Sequence, residues 1–197
     1  MTVAALVLAA GGSRRLGQPK QLLAYRGATL LDATLTTARS AGLAQVVVAL
    51  GGAAEEVRDT VDLSGVDVVL NPDFGEGCAT SIRTALAQVR DDAEGVVLLL
   101  GDQPGVLAGT IGTLVRGARE HAVGVCCYDD GLGHPLWFHR SMFETLAGLH
   151  GDKAVWKLVD ADRDVARIPV DGDVPRDVDT WDDYQALLGS PRVGDGQ

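Results

Sequence analysis

No Asp or Glu occurs before Asp32, although the chain of 197 residues carries 27 acidic side chains and a formal net charge of -10. Cysteine is scarce as well: Cys78, Cys126 and Cys127 offer no CxxC pair, which leaves no cysteine-based zinc site and no disulfide framework to expect. Adjacent cysteines seldom bridge in a structural disulfide, so all three are expected to be reduced and the protein cytoplasmic. No apolar run reaches the roughly 18 residues at which a membrane helix becomes the default, and a membrane partner is not expected. The apolar run Val3–Ala10 has no basic residue ahead of it, so a signal peptide is not expected either. With a pI near 4.7 there is no general basic surplus to grip a nucleic acid polymer. A single nucleotide, which one local basic loop can neutralise, is left open.

Three familiar signatures are also missing. A Walker A loop needs Lys and then Ser or Thr after its last glycine, whereas Gly17 is followed by Gln18 and Pro19. The dinucleotide fingerprint GxGxxG is not found, nor is a GxSxG nucleophile elbow, and no Ser/His/Asp set can be assembled. What is present is Leu8 to Lys20, LAAGGSRRLGQPK, a glycine-rich loop whose charges, Arg14, Arg15 and Lys20, are all positive. Glycines let backbone N–H groups approach phosphate oxygens, and the cations balance their charge. Taken alone, such a loop is equally compatible with solvated arginines on a surface.

Apolar runs alternate with amphipathic stretches along the first two thirds of the chain. Val3–Ala9 reads as a strand buried on both faces, Ala28–Ala41 as a helix, Gln45–Leu50 as a strand, and the region near 54–61 as a helix. Val66–Leu70 is a strand, Thr80–Arg90 a helix with Ile82, Leu86 and Val89 on one stripe, Gly95–Leu100 a strand, Leu107–His121 a helix and Ala122–Tyr128 a strand. The remainder is less regular: GHPLWF at Gly133–Phe138, helices at Ser141–Leu149 and Asp152–Val159, a strand at Val165–Val170 and a last helix at Thr180–Leu188. Trp181, Tyr184 and Leu188 are expected to form the buried stripe of that helix, with Thr180 and Asp183 capping it. This rhythm predicts a three-layer α/β/α, Rossmann-like sandwich around a mostly parallel sheet, organised as one domain over residues 1–188 with a disordered tail at 189–197. Ligands in such folds gather outside the carboxyl ends of the strands, where both Leu8–Lys20 and Gly101–Pro104 fall.

Asp102 ends a strand and could hold magnesium through one carboxylate together with substrate phosphates, or simply open a turn before Pro104. Asp177, Asp179, Asp182 and Asp183 read first as a solvated face and favourable charge at a helix N-terminus. In NPDFGEGCATSIR, Asn71 and Ser81 could hydrogen-bond a base or ribose, or serve as turn and cap. His134 and His139 lack Cys or His partners at ligand spacing, which argues against zinc.

Together these residues resemble the MobA-like nucleotidyltransferases, and among them most closely the molybdenum cofactor cytidylyltransferases. The family opening LAAGxSxRxGxxK with LL and a later G is matched by LAAGGSRRLGQPKQLLAYRG, and it is followed in order by Asn71-Pro72, Gly77, Ser81-Ile82-Arg83, GDQP, GHPxxF and DxDT. The resemblance covers nearly all of the chain to Leu188 and implies a nucleotide-diphospho-sugar transferase-like fold. It implies a nucleotide cradle formed by Leu8, Ala9, Ala10, Gly11, Gly12 and Ser13, with Arg14 and Lys20 on the phosphates and Asn71 and Ser81 near base and ribose. Asp102 is implied as the principal Mg2+ ligand and Asp179 as the second; on the acceptor side His134 could contact substrate, and Lys153 or Lys157 could replace the charge of an Arg that the family carries there. The implied catalytic set is Lys20, Arg14 and Asp102.

Ala10, where guanylyl-specific relatives tend to carry Gly, favours CTP as donor, and the implied acceptor is a phosphorylated molybdopterin-type cofactor. One departure falls on the acceptor side: the family's GDxGAR is here Gly151-Asp152-Lys153-Ala154-Val155-Trp156. Alternatives are another nucleoside triphosphate, or the same chemistry on a sugar phosphate or deazaflavin precursor. Others are a non-catalytic cofactor chaperone with a molybdoenzyme-related partner, and a redox enzyme reusing the fold.

Overall fold

The computed structural model describes residues 2–151, 154–161 and 164–189. In chain order the elements are β1 (Val3–Ala9), β2 (Ala24–Tyr25), β3 (Ala28–Thr29), α1 (Leu30–Ser40), β4 (Gln45–Leu50), α2 (Ala54–Thr60), β5 (Asp67–Leu70) and α3 (Cys78–Leu86). They continue with β6 (Gly95–Leu100), α4 (Ala108–Ala118), β7 (Val123–Tyr128), β8 (Gly131–His139), α5 (Phe143–Ala147), α6 (Ala154–Ala161), β9 (Val165–Pro169) and α7 (Trp181–Gly189). Nine-residue β8 is the GHPLWF region, which carried no strand assignment in the sequence reading.

A seven-stranded sheet runs in the order β5-β4-β1-β6-β8-β7-β9, parallel throughout except for β8. Its two faces explain why β1 and β6 are continuously apolar. Val3, Ala5, Val7, Val97 and Leu99 pack on one side with Leu31 and Leu35 of α1, Val57 of α2 and Ile111 and Leu114 of α4. Ala4, Leu6, Val96 and Leu98 pack on the other with Ile82 of α3, Leu146 of α5 and Val155 and Val159 of α6. Successive side chains of a strand point to opposite faces, so a strand between two helical layers needs apolar residues at every position. The expected three-layer, mostly parallel α/β architecture is the observed one. Among the described residues no helix is long and apolar enough to cross a membrane.

Three local details differ from the sequence reading, and the expected cap of the last helix forms. Ala28 and Thr29 are not helical: they pair with Ala24 and Tyr25 in a small hairpin, and Thr29 caps α1 by accepting from Asp32 N while the Asp32 side chain accepts from Thr29 N. The buried stripe of α7 is Tyr184 and Leu187, whereas Trp181 and Leu188 are 45% and 46% exposed. That helix docks only its hairpin-facing side, in a small cluster with Leu16, Leu23, Tyr25, Leu30 and Val178, and Tyr184 Oη donates to Ala24 O at 2.6 Å. The Thr180–Asp183 cap forms as expected: Asp183 Oδ2 accepts from Thr180 N at 2.8 Å and Thr180 Oγ1 accepts from Asp183 N at 3.2 Å. Gly189 belongs to α7, and the rest of the expected tail, 190–197, lies outside the described residues.

Candidate functional site

Beyond β1 the chain runs outward to β4 and β5, then crosses back to β6 on the other side of β1. The carboxyl ends of β1 and β6 therefore flank a topological switch point, where loops leave in opposite directions and a crevice opens. A cavity of about 480 Å³ occupies it, lined by the whole of Leu8–Arg15 and by Lys20, Phe74, Ser81, Asp102 and Asp179. Gly101 lets the two strand ends close up: its N–H donates to Leu8 O at 2.9 Å, and a Cβ there would lie 2.9 Å from Ala9 Cβ.

The loop after β1 is held from within. Ser13 has φ +47, and its carbonyl accepts from Leu16 N and Gly17 N, folding Ser13–Gly17 into a turn. Ser13 Oγ accepts from Lys20 N at 2.9 Å. Buried Gln21 donates from Nε2 to Ala9 O at 2.7 Å and to Gly11 O at 3.1 Å, tying the end of β1 to the glycine stretch. Gln21 drew no attention in the sequence, because its partners are main-chain carbonyls about ten residues away that only the fold brings near.

Lys20, Asp102 and Asp179 meet in the cavity. Lys20 Nζ donates to Asp102 Oδ2 and, at 2.8 Å, to Asp179 Oδ1; the Lys20 and Asp102 side chains are only 15% and 13% exposed. Burial, the largest single influence on Lys20, works against its charge, but the two carboxylates outweigh it and raise the ammonium above its ordinary value. The hydrogen bond from Lys20 holds Asp179 below the usual carboxylate range, assisted by Arg15, whose Nη2 donates to Asp179 Oδ2 at 3.0 Å.

Gln103 explains how Asp179, 77 positions beyond Asp102, comes back to this strand end. Its Nε2 donates to Pro175 O at 3.0 Å and to Asp177 Oδ1, pinning the segment that leads into α7. Asp177 thus faces Gln103 and does not line the cavity; burial, with the Asp102 charge, pushes its pKa up.

Two carboxylates that both reach one cation are a donor set suited to magnesium or manganese. Such ions take one or two carboxylates and complete their shell with water and substrate phosphates. Among the described residues there is no group of three or more His, Cys, Asp or Glu side chains that could hold a metal without such help. The residues present fit a divalent cation delivered with a phosphate-bearing substrate, while Arg14, Arg15 and the glycine-rich backbone supply further positive charge.

The remaining candidates lie elsewhere. Asn71 is 2% exposed and sits beneath the site, its Nδ2 donating at 2.9 Å to both Thr80 Oγ1 and Ser81 Oγ while its Oδ1 accepts from Asp73 N. It orients Ser81, which does line the cavity, and itself lines a neighbouring one. His134 lies on β8, 7% exposed, with Trp156 edge-on to it at a centroid distance of 5.4 Å, and it lines neither cavity. Lys153 lies outside the described residues.

Burial pushes the His134 imidazole down to about 4. A histidine kept neutral in the fold contributes stability that is complete above its unfolded value near 6.5 and is lost as pH falls toward the folded one. Between pH 7 and 4 this group alone is expected to remove about 3 kcal/mol from the unfolding free energy. Urea titrations at the two pH values test this, with His134→Gln expected to flatten the slope. An unchanged slope in the variant assigns the acid sensitivity to other groups.

Residues 5–166 match the family model for the MobA-like NTP transferase domain. The chain is 50% identical to Rv0371c of Mycobacterium tuberculosis H37Rv in its crystal structure as a complex with manganese; the match has a TM-score of 0.89 and covers 97% of this chain and 100% of that one. It is 32% identical over 142 residues to nicotine blue oxidoreductase of Paenarthrobacter nicotinovorans, covering 68% of this chain and 69% of that protein. It is also 33% identical over 148 residues to the bifunctional protein GlmU of a Synechococcus species, of which it spans only 32%. A divalent-metal complex of so similar a structure accords with a divalent cation requirement in the family.

Proposed function

The chain belongs to the MobA-like NTP transferase family, and from that premise we propose that it transfers CMP from CTP to a phosphorylated molybdopterin-type cofactor, with magnesium as the working cation. The observation that carries the reading is the convergence of Lys20, Asp102 and Asp179 at the switch point, beside a loop rich in backbone donors and cations. A dinucleotide or a covalent nucleophile would call for different equipment, namely GxGxxG or an activated Ser or Cys.

In this reaction an acceptor phosphate oxygen attacks the α-phosphorus of the nucleotide, the new P–O bond forms as the α–β anhydride breaks, and pyrophosphate carries off the electron pair. The acceptor phosphate is already anionic, so no general base is required. Magnesium held by Asp102 and Asp179 would supply Lewis-acid neutralisation of the triphosphate. Lys20, exchanging its carboxylate partners for phosphate oxygens, neutralises charge that builds on the leaving group, and Arg14 acts with it. The Ala9–Ser13 backbone fixes the triphosphate, with Gln21 holding that backbone in shape. Ala10 supports CTP as the donor through the family resemblance.

The donor and acceptor are tested by incubating the protein and magnesium with α-labelled CTP, GTP or ATP against molybdopterin, a sugar phosphate and a deazaflavin precursor. Labelled pterin dinucleotide from CTP is the expected product; labelling of another acceptor alone reassigns the substrate. A redox reading has one specific observation in its favour, the similarity to nicotine blue oxidoreductase. It predicts NADPH consumption with nicotine blue as acceptor, which a transferase does not catalyse.

A further inference from the structure

Among the described residues, Phe74 alone lines both the cavity at the switch point and a second cavity of about 380 Å³ bounded by Gly51–Glu56 and Leu70–Pro72. It belongs to a short 3-10 turn, Phe74–Glu76, between β5 and α3, and its ring wedges between the loops that follow β1 and β4. The fit depends on missing side chains. A Cβ on Gly51 would lie 2.8 Å from the Phe74 ring and one on Gly52 2.9 Å from it, both closer than real contacts allow; one on Gly12 would lie at 3.6 Å. Gly51 is also pressed against the phosphate-loop backbone, its Cβ position 2.4 Å from Ala10 O.

The charged groups of the first cavity, Arg14, Arg15, Lys20, Asp102 and Asp179, come from the loop after β1, the end of β6 and the approach to α7. The part supplied by the β5–α3 connection and the first turn of α3, Phe74, Gly75, Gly77, Cys78 and Ser81, is uncharged. Triphosphate charge belongs with the first group, which leaves the second for the nucleoside. Phe74 is the single aromatic side chain among the described residues lining this cavity, and so the one ring available for a base to stack on.

We propose that Phe74 is the base-selecting residue of this site: its ring stacks on a pyrimidine and, by closing off the second cavity, denies a purine the space it needs. The inference rests on the nucleotidyl-transfer reading and adds to it the wall that reads the base. The hydroxyl of Ser81, oriented by Asn71, offers a polar contact beside that wall.

The test is equilibrium binding of the non-hydrolysable α,β-methylene analogues of CTP and GTP, with manganese, to wild type, Phe74→Ala and Phe74→Leu. Phe74→Ala joins the two cavities and is expected to shift the CTP-to-GTP affinity ratio toward GTP by about tenfold or more. Phe74→Leu keeps the wedge without the ring; it is expected to weaken both analogues about tenfold through lost stacking and to hold the ratio near that of wild type. Thermal melts and manganese binding confirm that the variants are folded. A Phe74→Ala ratio within about twofold of wild type, with both analogues still bound, overturns the base-selecting role and leaves the transfer reading standing. If wild type binds neither analogue, the transfer reading falls, and this inference with it.

Discussion

Replacing Asp102 by Asn is expected to lower nucleotidyl transfer by at least about a thousandfold, equivalent to roughly 4 kcal/mol of transition-state stabilisation. The substitution keeps the shape and one acceptor oxygen toward Lys20, so the packing between β1 and β6 is preserved and the melting temperature is expected to change little. What disappears is a charge that is 13% exposed, in a place where water screens weakly. Manganese binding, followed by its electron paramagnetic resonance signal, should weaken in parallel. A variant that loses less than tenfold in kcat/KM while binding manganese normally would remove Asp102 from the metal and the chemistry alike.

Lys20→Met separates two roles by moving two observables in opposite directions. Met keeps the length and apolar stem of Lys but not its charge, so transfer is expected to fall about a hundredfold or more as the developing negative charge loses a partner. Manganese binding without nucleotide is expected to strengthen about tenfold, because Lys20 no longer competes for Asp102 and Asp179. The acid limb of stability should change too. Asp179, whose folded pKa is depressed chiefly by Lys20, contributes stability that is complete above the ordinary carboxylate value and is lost as pH falls through the lower folded value. The stability gap between wild type and the variant should therefore narrow as pH falls below about 4. A fall in both activity and manganese affinity would mean that Lys20 supports the carboxylates and does not compete with a metal for them.

The layers of the fold were readable because a strand between two helical layers has little choice of residue. VAALVLA and GVVLLL admit few other readings, and their glycine stops mark where a parallel sheet delivers its loops. The strand Gly131–His139 was obscured by Pro135. Its place becomes clear in the sheet: the β7–β8 register shifts between Val125 and Cys126, pairing them with Leu136 and Gly133, so that His134 and Pro135 fall in the bulge. The missing N–H of proline costs no ladder bond there. The stripe of α7 failed for a different reason. Steps of three and four are both helical, and the choice between Leu187 and Leu188 is made by the β2–β3 hairpin, which the helical pattern of α7 cannot report.

The site divides in the same way. Leu8–Lys20 and Asp102 announce themselves by glycine, charge and strand-end position. Asp179 entered through the family resemblance, and the fold gives the physical reason for its position, the pinning of Pro175 and Asp177 by Gln103. Gln21 and Phe74 stayed silent because each acts on backbone distant in sequence, Gln21 on Ala9 and Gly11 and Phe74 on Gly12, Gly51 and Gly52. A capping box at Thr29 and Asp32 was present in the sequence and would have corrected the start of α1.

The most direct test of the central claim is pyrophosphate release by the purified protein supplied with CTP, magnesium and molybdopterin, run beside Asp102→Asn. Release that requires both substrates and the metal, and that disappears in the variant, is the predicted result. A folded wild-type protein that releases no pyrophosphate with any nucleoside triphosphate, under magnesium or manganese, would contradict nucleotidyl transfer at the Lys20–Asp102–Asp179 cleft.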